Sequence, residues 1–579
     1  MGFGASGAGE GKEDQMAIRR IRPGKVLVGT QLSRRDFLKI SGTGLAGAAL
    51  LGTAGCGSVF GGGGGGGGTM KTDTLNINLL TEVPDLNSAT TTDSTSFNVL
   101  TNLMEGFYRL DQNQKPILAA AEGVEISKDE LTYTFTLRDG IQWSNGDPVT
   151  SQDFKYAWLH VLDPETAATY AYIISTFVKG ADEYNTDKAG PEAVAIETPD
   201  DKTLSVELIS KSPFFLQLTS FATYFPQQQE FVEKMGDEYA RDGDSLLYNG
   251  PYTMTAGSTG GGSTVVLQKN EKYWDKANVA VKTINGRIVK DNDTAINLYE
   301  GGELALTGLT GDSVKQFKDD PDFFRTVEPF TVYGRLNQKV PGLDNLNIRK
   351  ALMIGFDREA LTDQILQDGS VPAYGFVPPA ISPGPGDQTF REANGDLVPK
   401  DVDSARALWE KGVEEVGEEP KLTMLFGDDS AGRDMATYFK DQYKTNLGAD
   451  LDVEIVTFDA ALDRVDAEDY EINYSFGWIG DYDDPMTFMD LYLSDSPFNN
   501  SFFENAEYDR LIEEAQTTSD LQLRMQNMLK AERILIEQAG TVPVFYNAVS
   551  GLIKPYFKGY TPHPFGGDDY KYAKIEGKS

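Results

Sequence analysis

Alternation of apolar and polar residues predicts strands at several points of the chain. Leu75 to Leu79 alternates, and so do Leu131 to Arg138, Lys202 to Leu208 and Val542 to Tyr546. Successive side chains of a strand point to opposite faces, so each run presents one apolar face to a core. The run from Ile472 to Trp478 is apolar and strand-like, and a turn-forming segment follows it.

Helical signals lie between these strands. Thr150 with Asp153, and Ser519 with Gln522, each have the spacing of a capping box, so a helix is predicted to begin at each pair. A helical stripe of apolar residues follows the second box and is expected to be buried. Its members are Leu521, Met525, Met528 and Leu535.

One segment predicts the fold class. Leu422 to Phe426 is a predicted strand, a helix continues to about Asn446, and Leu451 to Val456 is the next strand. Parallel neighbours need such a crossover, so the sequence indicates an α/β architecture.

Composition narrows the class of protein. The chain has 579 residues and a net charge of -36, so several domains are expected and nucleic acid is not an expected partner. Two histidines and one cysteine leave little material for a soft-metal site or a nucleophile–base pair. No zinc-protease, serine-hydrolase or EF-hand spacing occurs. We therefore expect a protein that is not an enzyme and has no cofactor and no metal.

The first 56 residues have the features of an export signal. Arg34 and Arg35 lie in a twin-arginine motif, and a weakly apolar stretch then leads to Thr53-Ala54-Gly55-Cys56, which resembles a lipoprotein cleavage box. Eight glycines, 61 to 68, suit a flexible tether within residues 57–70. We predict lipid on Cys56 and a location on the outer face of the cell membrane.

The stretch from Gly477 to Pro485 concentrates candidate chemistry. It supplies three carboxylates, an aromatic pair and a proline directly after a strand. A strand that ends at Gly480-Asp481 suits a ligand that is itself a short strand with a positive end, since its backbone pairs along the edge and the acid holds the amine. The alternative is an acidic turn before a helix that starts near Met486.

The motif Gly-Trp-x-x-Asp-Tyr-x-Asp-Pro, followed by Thr487 to Asp490, resembles the late signature of extracytoplasmic oligopeptide-binding proteins that deliver to ABC importers. A block around Trp143 to Val149 resembles their early signature, and the resemblance runs from about Leu75 to the C-terminus. It implies a two-lobed periplasmic-binding-protein fold of type II with an extra inserted domain. It further implies a monomer whose partners are an oligopeptide and the permease of an ABC importer.

The resemblance also implies the residues of the site. Asp481 would pair with the α-amino group of the peptide, and Tyr170 would touch the peptide. The peptide backbone would lie between Gly477-Trp478-Ile479 and a ligand-facing strand near Thr92-Asp93-Ser94, and Trp478 could flank a side-chain pocket. Some family members carry an arginine six residues before the aspartate that clamps the peptide carboxylate, but this chain has Ser475 there.

The resemblance divides the chain into three domains. Domain I comprises 71–105, 229–330 and 545–579; domain II, 106–228, is inserted in it; domain III is 331–544. Other functions stay open: the same fold with a sugar, a metal complex or a cationic compound, a secreted hydrolase, or a peptide holder or receptor without transport.

Overall fold

The computed structural model describes residues 73–577, except 80, 257–262, 382, 387, 497, 561–564 and 566. Twenty strands are found there, and we number them β1 to β20 in chain order. They are Thr74–Leu79, Tyr108–Leu110, Pro116–Leu118, Ala121–Ile126, Thr132–Leu137, Ile196–Asp200, Thr203–Glu207, Tyr252–Ala256, Thr264–Lys269, Thr283–Ile288, Leu306–Leu309, Phe323–Leu336, Val371–Pro372, Thr423–Gly427, Asp452–Val456, Ile472–Asn473, Gly477–Ile479, Val542–Ile553, Phe557–Lys558 and Lys574–Ile575.

The α-helices of the described residues are numbered α1 to α17 in the same way. They are Ser94–Leu103, Ser151–Leu162, Tyr172–Ser175, Ala181–Asn185, Phe215–Leu218, Gln229–Met235, Asn292–Glu300, Asp312–Phe317, Leu346–Ile354, Arg358–Ala360, Phe390–Asn394, Asp403–Val416, Ser430–Asn446, Phe458–Asp466, Met486–Met489, Ala506–Thr517 and Leu521–Glu537. Short 3-10 turns and one π-helical turn, Leu361–Leu366, connect some of them.

The largest sheet of the described residues is mixed and has twelve strands. Its main path is β15-β14-β16-β12-β18-β11-β1-β10-β9-β8, with β13 paired to β18 and β17 paired to β12. The two long strands β12 and β18 are antiparallel neighbours, and their register shifts between Val327 and Thr331. Because β12 and β18 pair with each other in the middle of this path, they join the two ends of the sheet into one continuous structure.

A separate antiparallel sheet of four strands has the order β4-β5-β7-β6. Its inner face packs on helix α2 and on the segment before β2. Phe107 stacks on Phe135 of β5 with ring centroids 4.4 Å apart, and on Phe154 of α2 at 3.9 Å. This sheet lies entirely within the range predicted for the inserted domain, although the domain boundaries stay predictions.

Several predicted elements are confirmed. The predicted alternation over Leu131 to Arg138 is seen in β5, where Tyr133, Phe135 and Leu137 are buried. The predicted crossover is present, since β14 and β15 are parallel and α13 connects them. The carboxylate of Asp153 closes the predicted capping box by accepting from the backbone N–H of Thr150 at 2.8 Å.

Other predictions are wrong in detail. Asp520, not Ser519, caps α17, because its carboxylate accepts from two backbone N–H groups of the first turn. Leu521 begins this helix on the solvent side and is 61% exposed, although the rest of the predicted stripe faces the core. The apolar run from Ile472 to Trp478 is not one strand: it forms β16 and β17, which pair separately with β12.

The predicted ligand-facing strand at Thr92-Asp93-Ser94 is absent. The Asp93 carboxylate accepts from the backbone N–H of Ser96 at 2.8 Å, so it caps α1, and Ser94 is the first helical residue. An aspartate that satisfies a free N–H of the first turn favours helix over strand at this position.

Membrane attachment concerns residues that the structure does not describe. Arg34, Arg35, Cys56 and the tether 57–70 lie outside the described residues. Within the described part of the chain, no helix is both long and apolar enough to cross a membrane.

Candidate functional site

Strand β17 is held along one edge and open along the other. It pairs with β12 through Ile479 opposite Phe330, Trp478 opposite Thr331, and Gly477 opposite Val332. The backbone N–H of Gly480 donates to Pro329 O at 2.7 Å, directly across the same ladder. Since alternate residues of an antiparallel pair point their backbone groups at the partner, the backbone of Trp478 faces β12.

Gly477 and Ile479 therefore turn their N–H groups, and Ile479 also its C=O group, towards the other edge, along which no described strand pairs. A glycine is required at 477, because an added Cβ would lie 2.3 Å from the backbone oxygen of Thr331. The open edge can accept a further extended chain by strand addition.

An arginine that belongs to no recognisable sequence motif also fixes this strand. The guanidinium of Arg335, on β12, donates to Phe476 O at 2.6 Å and to Gly477 O at 3.4 Å. It lies between the rings of Tyr333 and Phe476, about 4 Å from each centroid. Ser475, the position of the family's arginine, has a buried hydroxyl without a hydrogen-bond partner in the structure.

Asp481 follows β17 and lies where two parts of the molecule meet. The hydroxyl of Tyr172, on α3, donates to Asp481 Oδ1 at 2.8 Å, although the two residues are 309 positions apart. The backbone N–H of Asp481 donates to Thr487 Oγ1 at 3.1 Å. The residue keeps part of its surface open, but protein atoms surround its carboxyl group closely.

Burial raises the pKa of Asp481 to about 7, the negative charge of Asp490 contributes in the same direction, and the hydrogen bond from Tyr172 opposes both. No positively charged side chain among the described residues lowers this pKa. A cation placed against it would restore the charged form.

Aromatic rings are in contact close to the bond between Tyr172 and Asp481. The ring of Tyr482 stacks on Phe214 with centroids 3.9 Å apart and planes 11° apart, and it meets the edge of Phe177 at 5.8 Å. Together with the bond between Tyr172 and Asp481, these contacts join the region that holds the four-stranded sheet to the segment after β17.

Tyr170 lies close to this point without bonding to Asp481. Its ring stacks on Tyr172 at 5.7 Å and meets the edge of Phe97 at 5.6 Å. Burial raises its pKa, and the negative charge of Asp481 adds to the rise. Tyr172, two residues later, makes the direct contact with Asp481. Sequence patterns do not show which of the two tyrosines makes this contact, because it depends on the fold.

Asp484 has a different role from Asp481. Its two carboxylate oxygens accept from the two terminal nitrogens of Arg524, on α17, at 2.7 and 2.8 Å, and both side chains are buried. Asp483 is buried as well. Asp484 is therefore more than part of an acidic turn, because this ion pair ties the motif to α17.

A cavity opens beside Asp481. It encloses about 530 Å³ of space free of protein atoms, including its solvent-open mouth. Its lining comes from both sides of the meeting point: Tyr172, Ile173, Thr176, Phe177, Trp478, Asp481, Tyr482, Thr487, Asp490, Leu491 and Phe498. The predicted site residues Asp481 and Trp478 are thus brought together, and Tyr172, Asp490 and Phe498 join them. Among the described residues, no group of three or more His, Cys, Asp or Glu side chains is arranged to hold a metal ion.

Comparison with known proteins assigns the class of protein. Residues 115–500 match the family model of bacterial extracellular solute-binding proteins, family 5. The oligopeptide-binding protein OppA of Bacillus subtilis (strain 168) is 36% identical over 486 residues, which cover 82% of this chain and 87% of that protein. The chain therefore belongs to the bacterial extracellular solute-binding proteins of family 5.

Solved structures agree with this assignment. Listeria monocytogenes OppA bound to peptide is 33% identical, with a TM-score of 0.69 over 88% of this chain and all of that one. The murein tripeptide binding protein MppA in its unliganded open form is 25% identical, with a TM-score of 0.74 over 87% of this chain and 98% of that one. The fold is thus the two-lobed α/β fold of periplasmic solute-binding proteins, as the sequence predicts.

Proposed function

We propose that this protein is an extracytoplasmic receptor that binds oligopeptides between its two lobes and delivers them to the permease of an ABC importer. The observation that carries the proposal is the position of Asp481 at the end of a strand with an open edge. The peptide backbone pairs with Gly477 and Ile479, and its α-amino group binds the Asp481 carboxylate. The names of the relatives, oligopeptide-binding and dipeptide-binding proteins, support a peptide as ligand.

Backbone pairing explains how such a receptor can accept many sequences. The groups at the edge of β17 are main-chain N–H and C=O, which every peptide can satisfy. Asp481 adds a requirement for a free N-terminus. Tyr172 would share the carboxylate with the ligand, since it donates to one oxygen and leaves the other for the amine.

A double-mutant cycle tests this proposal by titration calorimetry. Asp481→Asn keeps the shape of the side chain and removes its charge, which leaves a buried ammonium without a partner at a cost of about 2–5 kcal/mol. Peptide affinity should fall roughly 30-fold or more. N-acetylation of the peptide should cause a similar loss in the wild type and a much smaller one in the variant, because both changes remove the same bond.

Asp319→Asn is the matched control, since Asp319 is exposed and lies outside the cavity. It removes one negative charge and should leave the affinity unchanged. If the losses from Asp481→Asn and N-acetylation simply add, or if Asp319→Asn weakens binding as much, Asp481 does not bind the amine.

We also propose that lipid on Cys56 anchors the receptor to the outer face of the cell membrane, with the glycine-rich segment 57–70 as its tether. The twin arginines and the cleavage box support this part. Cys56→Ser should release the protein from membranes, as followed by fractionation and by the mass of its N-terminus. Membrane retention of the variant at the wild-type level would contradict it.

A further inference from the structure

The ladder between β12 and β18 is interrupted around one residue of β18. The segment 328–330 of β12 lies opposite Asn547 alone, because the register shifts there. Pro329 has no N–H to donate to a ladder, and Phe330 pairs with β17 instead. The two long strands are therefore not joined by backbone hydrogen bonds over this bulge.

The opposite edge of β18 lacks support at the same place. Strand β11 pairs with residues 550–553, and β13 pairs with residues 545–546. Between them no described strand pairs with β18 on that edge, and Val549 is 46% exposed. Strand β18 thus has its weakest backbone support at Asn547, between a part held by β11 and a part held by β13.

A side-chain hydrogen bond joins the two strands across this gap. The amide Nδ2 of Asn547 donates to Glu328 Oε2 at 2.5 Å. Burial raises the pKa of the Glu328 carboxyl, the bond from Asn547 opposes that rise, and no charged side chain of the described residues contributes to it. Hydrogen bonds to a carboxylate are stronger than those between neutral groups. The bond therefore takes the place of the missing ladder.

The same bulge is joined to the candidate site. The carbonyl of Pro329 accepts from the backbone N–H of Gly480 at 2.7 Å, and Asp481 is the next residue. A movement of the bulge therefore moves the backbone that carries Asp481.

We propose that the bond between Glu328 and Asn547 controls the hinge between the two lobes: it forms when the lobes are closed and breaks when they open. This structure shows the closed arrangement, in which Tyr172 reaches Asp481. Bending at a point without a ladder changes the separation of β12 and β18, and the bond resists that change. Its loss shifts the equilibrium towards the open arrangement.

Glu328 and Asn547 are positioning residues, since neither lines the cavity. The inference rests on the proposed function only for its effect on peptide release. An opening that needs less energy lets a bound peptide leave sooner, so the loss of the bond should raise the dissociation rate.

Energy transfer between two dyes on the full chain measures lobe opening without any ligand. In a Cys56→Ser background, the dyes are attached at Glu165→Cys, ahead of Tyr172, and at Asp495→Cys, ahead of Phe498. Both positions are exposed, and the tyrosine and phenylalanine line opposite sides of the cavity.

Asn547→Leu and Glu328→Ala should each lower the transfer efficiency. The double variant should lower it no further than the single ones, because all three remove the same bond. The single variants alter different strands, so either one decides if the other does not fold.

Asn347→Leu is the matched control. Its amide donates to Glu415 Oε2 at 2.8 Å, a bond of the same kind away from the hinge, and its loss should leave the transfer as in the wild type. Wild-type transfer in Asn547→Leu and Glu328→Ala, or losses that add in the double variant, would overturn the proposal. A purely structural role would lower the midpoint of thermal unfolding and leave the transfer unchanged.

Stopped-flow kinetics with the tripeptide Ala-Ala-Ala test the effect on release. Asn547→Leu should raise the dissociation rate roughly fivefold or more, and Asn347→Leu should not change it. If the transfer falls as expected and the peptide does not bind to the wild type, only the proposed function fails. If the peptide binds and the transfer stays at the wild-type level in the hinge variants, only this inference fails.

Discussion

Asp481 and Asp484 lie three positions apart and have different partners. Asp481 faces a cavity and a tyrosine hydroxyl, and no positively charged side chain in the described part of the chain contributes to its pKa. Asp484 faces Arg524, which satisfies both of its oxygens. These partners, Tyr172 and Arg524, come from distant parts of the chain, so the two carboxylates respond to different elements of the fold.

The pKa of Asp481 gives a prediction about proton release. The group titrates near 7 in the ligand-free protein, and a bound ammonium favours its charged form. Below about pH 7, peptide binding should therefore expel a proton, and affinity should rise with pH until the peptide amine itself begins to lose its proton near pH 8. Calorimetry at pH 6 in buffers of different ionisation enthalpy measures the released proton.

Asp481→Asn is the control, since it should abolish the proton release. A binding enthalpy of the wild type that does not depend on the buffer would contradict this prediction.

The Asp481 carboxyl group has an opposite effect on the stability of the ligand-free fold. Its pKa in the folded protein lies above the ordinary value of 3.8, so it stabilises the fold most at low pH and loses that contribution as the pH rises towards 7.

At the scale of single elements, regular segments were predictable and irregular ones were not. Strand β5 and the crossover from β14 to β15 follow local alternation and spacing, so sequence patterns suffice for them. Strand β17 has three residues and depends on its register with β12 and on Arg335, which donates to the carbonyl of Phe476 just before it. Long-range pairing of this kind leaves no local periodic signal.

The same strand gives a second prediction. Gly477→Ala places a Cβ 2.3 Å from Thr331 O and 2.5 Å from the ring of Phe330, so β17 must move away from β12. Overpacking of this kind typically costs about 1–3 kcal/mol. We expect a lower midpoint of thermal unfolding and weaker peptide binding.

Gly123→Ala is the matched control, since it also lies in a strand and an added Cβ there meets nothing within 4 Å. It should leave peptide affinity unchanged. If Gly477→Ala binds peptide as the wild type does, the open edge of β17 is not the binding edge.

At the scale of the whole molecule, strands β12 and β18 cross the domain boundaries that the sequence predicts. The predicted boundaries at 330/331 and 544/545 fall inside β12 and β18, close to the register shift at Val327 to Thr331. Paired strands with a local irregularity can bend there without losing the rest of their ladder. We expect the lobes to open and close about this point, with the stack of Tyr482 on Phe214 as a contact that must separate.

A buried cluster joins residues 102–109 to residues 568–570. Arg109, the middle residue of β2, donates to Glu105 at 2.7 Å and to Asp569 at 2.6 Å, and all three are buried. Asn102 bonds to the backbone of Asp568 and Tyr570, more than 460 positions later. Contacts at such separation are slow to form. During synthesis, 460 further residues must be added before Arg109 can bond to Asp569, so this buried cluster closes late in folding.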